Sequence, residues 1–330
     1  MTADAGRAAA PPDQATILAF IGVVIVGGLN AIAVKQSVQE LDPFWSAGLR
    51  FVVAALLLFG LVIVMRRSFP RGRSLSGALL YGLVAFAGSF GLVYPALRDL
   101  PAGTAILFLA LVPLETFGLA VLHRQERFQL QGLFGAFIAL GGVGLVVADQ
   151  LSANVPLASI LMMLAGTLFV AEGAVILKWV PRSDPFATNA VAMTGGGLAL
   201  LALSLVAGEA WLVPTRGDTW VAMGYLVVFG SIVLFGLYLF ALRRWTASAV
   251  SYVTLLMPLI TIPVAAILIA ETVSLSFLVG GALALLGVYV GAFLQGRPRR
   301  TSASGLAECP PLENCGPAAT TLGAEARRAG

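Results

Sequence analysis

Three ionisable residues, Arg50, Glu115 and Glu172, sit well inside long apolar stretches of the chain. Placing such a group in a bilayer costs roughly 2.5–3.5 kcal/mol on insertion scales, so it faces a cavity, a partner or a permeation path. At 1.5 Å per helical residue, Arg50 falls ~10 Å from the end of its stretch, and Glu115 and Glu172 fall ~20–24 Å from the starts of theirs. The two acids are therefore expected at one level. A carboxylate there has two readings. In one it takes up a proton or pairs with a cationic group of a solute, since desolvation disfavours its charged form. In the other it is half of a fixed ion pair, or a lipid-edge residue near a helix end. Arg50 also has two readings: its planar fork suits a solute carboxylate, and it equally suits tying helices together through backbone carbonyls or a glutamate. The tie is favoured, because intramembrane charges are commonly paired internally.

Around these charges lie further candidates. Pro113 and Pro258 each remove a helical hydrogen bond from an apolar segment, and the freed carbonyl is tolerable only beside a cavity or a neighbouring group. Gating, cavity shape and a plain packing kink are the readings. Asn30, Tyr81, Tyr94, Tyr238 and Tyr252 are candidates to line a path, although tyrosines near span ends also serve as interfacial anchors. Glu126 and Glu271 precede apolar segments, where an acid favours the helix dipole. Enzyme chemistry finds little support: the sole histidine, His123, stands at a segment end, and neither HExxH nor GxSxG is present. Cys309 and Cys315 lie in the polar tail with no histidine nearby, which reads as two reduced thiols rather than a metal site. No cofactor, metal site or ATP-binding loop is expected.

The elements that must position these residues follow from composition. Of 330 residues, 59% are hydrophobic and only 11% charged, against about 25% charged in soluble domains. The chain belongs in a lipid bilayer, and its net charge of +4 is no nucleic-acid signal, because the basic residues sit in short loops between apolar runs. A crossing helix needs about 20 apolar residues. Segments qualify near 15–35, 44–65, 76–97, 102–122, 129–148, 156–177, 186–207, 220–242, 248–269 and 276–295. This predicts an all-α integral membrane protein with ten transmembrane helices. Residues 1–14 form a short leading segment, and 297–330 a Gly-, Ala-, Ser- and Pro-rich tail expected to be disordered. Ala31-Ile32-Ala33 resembles a cleavage site, but the weakly basic start favours an uncleaved first span.

Lysine and arginine favour the cytoplasmic side. Arg7, Arg66, Arg67, Arg71, Arg73, Arg124, Arg127, Lys178, Arg182, Arg243, Arg244, Arg297, Arg299 and Arg300 fall on one face, and only Lys35, Arg98 and Arg216 on the other. Both termini are expected in the cytoplasm, the chain lying in the inner (plasma) membrane.

The chain is also duplicated. Adding 145 carries Ala96-Leu97-Arg98 onto Ala241-Leu242-Arg243, Pro113-Leu114 onto Pro258-Leu259, and Glu126 onto Glu271; an offset of 142 carries Asp42-Pro43-Phe44 onto Asp184-Pro185-Phe186. Two repeats, 15–148 and 149–296, emerge. Five spans per repeat is an odd number, so the second must enter the membrane inverted. Inverted five-helix repeats about an axis in the membrane plane are the architecture of many secondary transporters. Gly287 and Gly291 form a GxxxG on the last span, permitting close contact within the monomer or in a homodimer.

These residues resemble the drug/metabolite transporter superfamily, of the ten-span type with two EamA domains. Gly28, Asn30 and Lys35 fit the family's Trp-Gly-x-Asn-x-x-x-x-Lys pattern, with Gly27 in place of the tryptophan. Pro43, Arg50 and Phe51 fit its second span. Ala96, Leu97, Ala102, Pro113 and Glu126 fit its later series, repeated in Ala241, Leu242, Ala247, Pro258 and Glu271. The resemblance covers about 15–295. Two departures stand out: Arg50 has no basic partner in the second repeat, where Ala192 or Met193 sits, and Glu115 has the apolar counterpart Ile260. What the resemblance implies is a secondary transporter for small metabolites, an exporter of amino acids or related compounds working by alternating access. Without an ATP-binding loop, ion coupling, with protons as the candidate from the carboxylates, and simple facilitated exchange are both open. A phosphorylated substrate would call for several basic groups, and only Arg50 is deep enough. A non-transport membrane protein, whether sensor, assembly factor or intramembrane enzyme, is the alternative.

Overall fold

The computed structural model describes residues 13–124, 130–152, 154–181, 183–244, 250, 253–268 and 274–293. All regular structure among them is helical. Seven helices are long and apolar enough to cross a membrane: α1 (Gln14–Val38), α2 (Pro43–Val64), α3 (Arg73–Asp99), α4 (Ala102–Leu122), α6 (Leu157–Trp179), α7 (Pro185–Ala207) and α8 (Gly217–Arg244). Three shorter apolar stretches lie where the remaining expected spans fall, in α5 (Leu130–Ser152), α9 (Val253–Leu268) and α10 (Leu275–Phe293). The described helices belong to one compact unit that ends at Gln295. The predicted tail, with Cys309 and Cys315, and the acids Glu126 and Glu271 lie outside the described residues.

Local sequence sets the boundaries. Asp13 accepts a hydrogen bond from the Thr16 amide (3.0 Å), capping α1, and Asp184 accepts from Phe186 (3.0 Å) and Ala187 (3.2 Å), capping α7. Pro43 and Pro185 open α2 and α7, where a missing N–H costs nothing. Gly208, with φ at 70°, ends α7 in the left-handed conformation.

The outer surface is made of side chains water would not tolerate. Val64, Val206 and Ile267 are each 80% exposed or more, and Leu275 is 76% exposed. Burying such a side chain is worth about 1.5–3 kcal/mol relative to water. A belt of them is stable only against lipid.

Helix pairings come in matched sets. Helix α1 packs on α8 and α9, while its repeat counterpart α6 packs on α3 and α4. Helices α2 and α7 pack on each other, as do α5 and α10. Such exchange is what a two-fold relation between inverted repeats produces. Small residues set the closest approaches: a Cβ at Gly142 would fall 2.3 Å from the Ala284 nitrogen, and one at Gly287 would fall 2.2 Å from the Ala139 nitrogen. Gly287 thus makes its close contact inside the monomer.

Two ties repeat as well. Lys35 Nζ, at the end of α1, donates to the carbonyls of Arg98 (3.0 Å) and Leu100 (2.8 Å) at the end of α3. Lys178 Nζ, at the end of α6, donates to Leu242 (2.9 Å) at the end of α8. A cation at carbonyls left open by a helix terminus is favourable on both counts. Helices α3 and α8 also each contain a π-helical stretch, Gly82–Gly88 and Val228–Val233. Subtracting 145 from the second gives 83–88, so both repeats are wound wider at the same place.

Candidate functional site

A cavity of about 130 Å³ lies in the interior of the bundle, walled by α1, α3 and α4 from the first repeat and α6, α8 and α9 from the second. These are counterpart helices. Among the described residues, helices α2, α5, α7 and α10 supply no part of the wall. Apolar and aromatic side chains such as Phe90, Phe235, Met163 and Met257 dominate it; the polar side chains are Asn30, Tyr81, Ser89, Tyr238 and Thr254. No charged side chain among the described residues lines it.

Arg50 lies behind this wall. It is fully buried on α2 and reaches across to α8, α3 and α1. Nε donates to Ser231 Oγ (2.8 Å) and Nη1 to Tyr94 OH (3.0 Å), while Nη2 donates to Asn30 Oδ1 (3.1 Å) and the Gly230 carbonyl (2.5 Å). The guanidinium carbon also lies 4.9 Å and 5.4 Å from the ring centres of Phe51 and Phe90, a distance at which aromatic faces attract a cation. No carboxylate among the described residues forms an ion pair with Arg50. The expected helix tie is present, made of neutral acceptors rather than a glutamate. Gly230 and Ser231 belong to the π-helical stretch of α8, whose altered winding turns a carbonyl toward the arginine. π-Bulges are often found at functional sites.

The two acids lie elsewhere. Glu115 Oε1 accepts from Thr167 Oγ1 (2.9 Å), and Oε2 is buried without a partner. Thr167 shares the face of α6 that carries the cavity residues Met163, Val170 and Ala174. Glu172 lies instead 3.4 Å from His123 Nε2 at the end of α4, and both side chains are about a quarter exposed. The single level expected for the two acids is therefore corrected. Glu172 follows Thr167 by five residues, ~7.5 Å further along α6, which brings it level with His123 at the end of α4 rather than with Glu115. Neither acid is a wall residue.

Both prolines break their helices. Helix α4 is interrupted at Ala110 and Leu111, just ahead of Pro113, and α9 at Met257, just ahead of Pro258. The first piece of each contributes to the cavity, through Ala105, Ile106 and Leu109 on one side and Val253 and Thr254 on the other. Next to the α9 break, Thr261 Oγ1 donates to the Gly28 carbonyl (2.5 Å).

One end of the bundle is closed by a polar clamp between the repeats. Glu40, in the α1–α2 turn, accepts from Thr215 N and Oγ1 (2.6 Å each), and Asp42 accepts from Arg98 (2.5 Å) and Ala210 N (2.9 Å). The Glu209 carboxylate accepts from the first amides of α2, Phe44 (3.1 Å) and Trp45 (2.8 Å), and the Trp45 and Trp211 rings stack at 4.6 Å. Hydrogen bonds from Thr215, then Thr219, hold the Glu40 carboxyl down to about 2. At the opposite end, the equivalent α6–α7 turn meets the first turn of α3 through Ser74 Oγ to Pro181 O (3.2 Å) and the α2–α3 turn through a long Arg67–Asp184 pair (3.9 Å).

The model of the EamA-like transporter family matches residues 14–148 and 157–292, once for each repeat. This chain belongs to the EamA-like transporter family. It is 29% identical over 239 residues to the uncharacterized inner membrane transporter YedA of Escherichia coli (strain K12), covering 71% of this chain and 76% of the relative. It is 28% identical over 291 residues to a probable amino-acid metabolite efflux pump of Salmonella typhimurium, covering 85% and 95%. A crystal structure at 17% identity superposes with a TM-score of 0.64 over 86% of this chain and 100% of the other, which supports the fold alone.

As an EamA-like transporter, the protein is a multi-pass membrane protein that moves a small-molecule substrate. Of the path residues expected from sequence, the structure brings Asn30, Tyr81 and Tyr238 to the cavity. Arg50 and Tyr94 stand one layer behind, Glu115 and Glu172 stand apart, and Tyr252 lies outside the described residues. Ser89, Phe90, Phe235, Thr254, Thr167 and Ser231 were not anticipated. They carry no charge and no motif; the repeat offset alone, which places Ser89 opposite Leu234 and Phe90 opposite Phe235, would have pointed to some of them.

Proposed function

We propose that this EamA-like transporter exports amino acids or related small metabolites by alternating access, using the cavity between the repeats as its substrate site. The observation that carries the reading is the wall itself: counterpart helices contribute from both repeats, so a movement of one repeat against the other opens the space to either side. The broken helices α4 and α9 supply places where such a movement bends the bundle. The export direction and the amino-acid class follow the printed name of the Salmonella relative, and an inner-membrane location follows that of the Escherichia coli relative. The placing of both termini in the cytoplasm follows the loop charges. The function is transport rather than catalysis.

Protons are the proposed coupling partner, with Glu115 the carrier, because its Oε2 is buried and unpartnered and its Oε1 reaches the cavity face of α6 through Thr167. Glu172, tied to His123, is assigned a structural role. Counterflow of labelled amino acids into proteoliposomes, with and without a proton gradient, tests the reading. Uptake is expected, with a pH dependence that Glu115→Gln removes and Glu172→Gln keeps. No counterflow for any small metabolite would sink it.

A further inference from the structure

Asn30 has two polar ends and the structure uses only one. Its Oδ1 accepts from Arg50 Nη2, and the same nitrogen donates to the Gly230 carbonyl. Arginine has donors and no acceptor, so the amide is held with its oxygen toward the guanidinium. Turned the other way, an N–H₂ would face a cation and the bond from Arg50 to Asn30 would be lost. The orientation leaves two N–H donors on a residue that lines the cavity, and among the described residues no acceptor is recorded for them. The arrangement leaves no slack: a Cβ on Gly230 would fall 2.3 Å from Asn30 Oδ1 and 3.0 Å from Arg50 Nη2.

Charge points the same way. Arg50 is fully buried and held by neutral acceptors, so its positive charge behind Asn30 and Phe90 is not cancelled by any ion pair among the described residues. At low dielectric a charge of this kind acts over several ångströms. It makes the Asn30 side of the cavity favourable for an anion and unfavourable for a cation. The remaining wall is apolar and aromatic, with hydroxyls from Tyr81, Ser89, Tyr238 and Thr254.

We infer that the Asn30 side-chain amide is the recognition point for the carboxylate of a small solute with an apolar body, and that Arg50 is the positioning residue that fixes the amide and supplies the field. The inference rests on the transport reading above and adds the substrate class and the contact. Arg50 does not itself touch the solute; it acts through Asn30 and through charge.

The test uses the full-length protein in proteoliposomes with L-leucine and its decarboxylated counterpart 3-methylbutylamine, and the variants Asn30→Asp and Asn30→Ala. Asn30→Asp keeps the shape and the bond to Arg50 while replacing the donors by a second carboxylate oxygen, so it separates recognition from folding. L-Leucine is expected to exchange and the amine not to compete. KM for L-leucine is expected to rise about tenfold or more in both variants, as loss of a hydrogen bond to a charged group implies, with Tm in detergent preserved in Asn30→Asp. An unchanged KM in both variants, or an amine that competes as well as the amino acid, overturns the inference while leaving transport standing. If the wild type exchanges no amino acid, the amino-acid reading fails, and the inference is read from thermal stabilisation by 4-methylpentanoate and phenylacetate against 3-methylbutylamine. Stabilisation by the acids that is weakened in Asn30→Asp supports it; equal or absent stabilisation overturns it.

Discussion

The repeats cross each other twice in equivalent ways, and the two crossings are built from opposite materials. Where α7 meets the π-helical stretch of α3, small residues do the packing: a Cβ on Gly82 would fall 2.1 Å from the Ala192 carbonyl oxygen, and one on Gly196 would fall 2.5 Å from Phe86 Cβ. Where α2 meets the equivalent stretch of α8, the position corresponding to Ala192 holds Arg50, hydrogen-bonded to Ser231 and the Gly230 carbonyl. One crossing is closed by contact and the other by a charge. The duplicated scaffold does not need that charge for its geometry, since the second crossing forms without one. The charge beside the cavity, present at one crossing only, is therefore where the two repeats differ in chemistry.

Removing the charge is expected to have the largest effect. Arg50→Ala would strand Tyr94, Asn30 and the Gly230 carbonyl and leave a void. It is expected to cost about 3–5 kcal/mol, while Ala192→Gly at the other crossing should cost only about 0.5–1 kcal/mol. Denaturation of the purified protein in detergent measures both, and equal losses would show that the crossings are held alike. Gly230→Ala comes next, at about 1–3 kcal/mol. Its Cβ meets Asn30 and Arg50 rather than an apolar neighbour, so transport should fall further than stability does.

Away from the crossings the effects shrink. Glu115→Gln still accepts from Thr167 and is expected to alter stability by less than about 1 kcal/mol, while flattening the pH profile of transport; an unchanged profile would assign coupling elsewhere. The smallest effect lies in the clamp. The Glu40 carboxyl is held near 2, below the ordinary 4.5, by Thr215, Thr219 and backbone amides. A depressed folded value means that its stabilisation is complete above pH 4.5 and is lost as pH falls toward 2. Tryptophan fluorescence of the Trp45–Trp211 stack should report loosening in that window, and Glu40→Gln should remove this share of the pH dependence.

Much of this was legible in the chain. The 145-residue offset marks the repeats and pairs the breaks at Pro113 and Pro258, while the matched Lys35 and Lys178 ties stand at a nearby offset of 143. The internal tie favoured for Arg50 was found, although its acceptors are an asparagine, a serine, a tyrosine and a carbonyl. Asn30, Tyr81 and Tyr238 were placed on the path and line the cavity. The acids were harder to read. Depth along a helix says how far in a residue lies, not which way it faces, and Glu172 faces His123.

The sequence by itself determined the membrane setting, the duplication and the family, because these rest on composition and on the order of residues along one dimension. Tertiary structure decided which buried groups meet. The π-helical winding of α3 and α8 has no period of its own in the sequence, yet it presents the Gly230 carbonyl to Arg50 and so sets the orientation of Asn30. Hydrogen-bond partners drawn from four helices, α1, α2, α3 and α8, depend on angles and distances between elements, and one-dimensional spacing does not contain them.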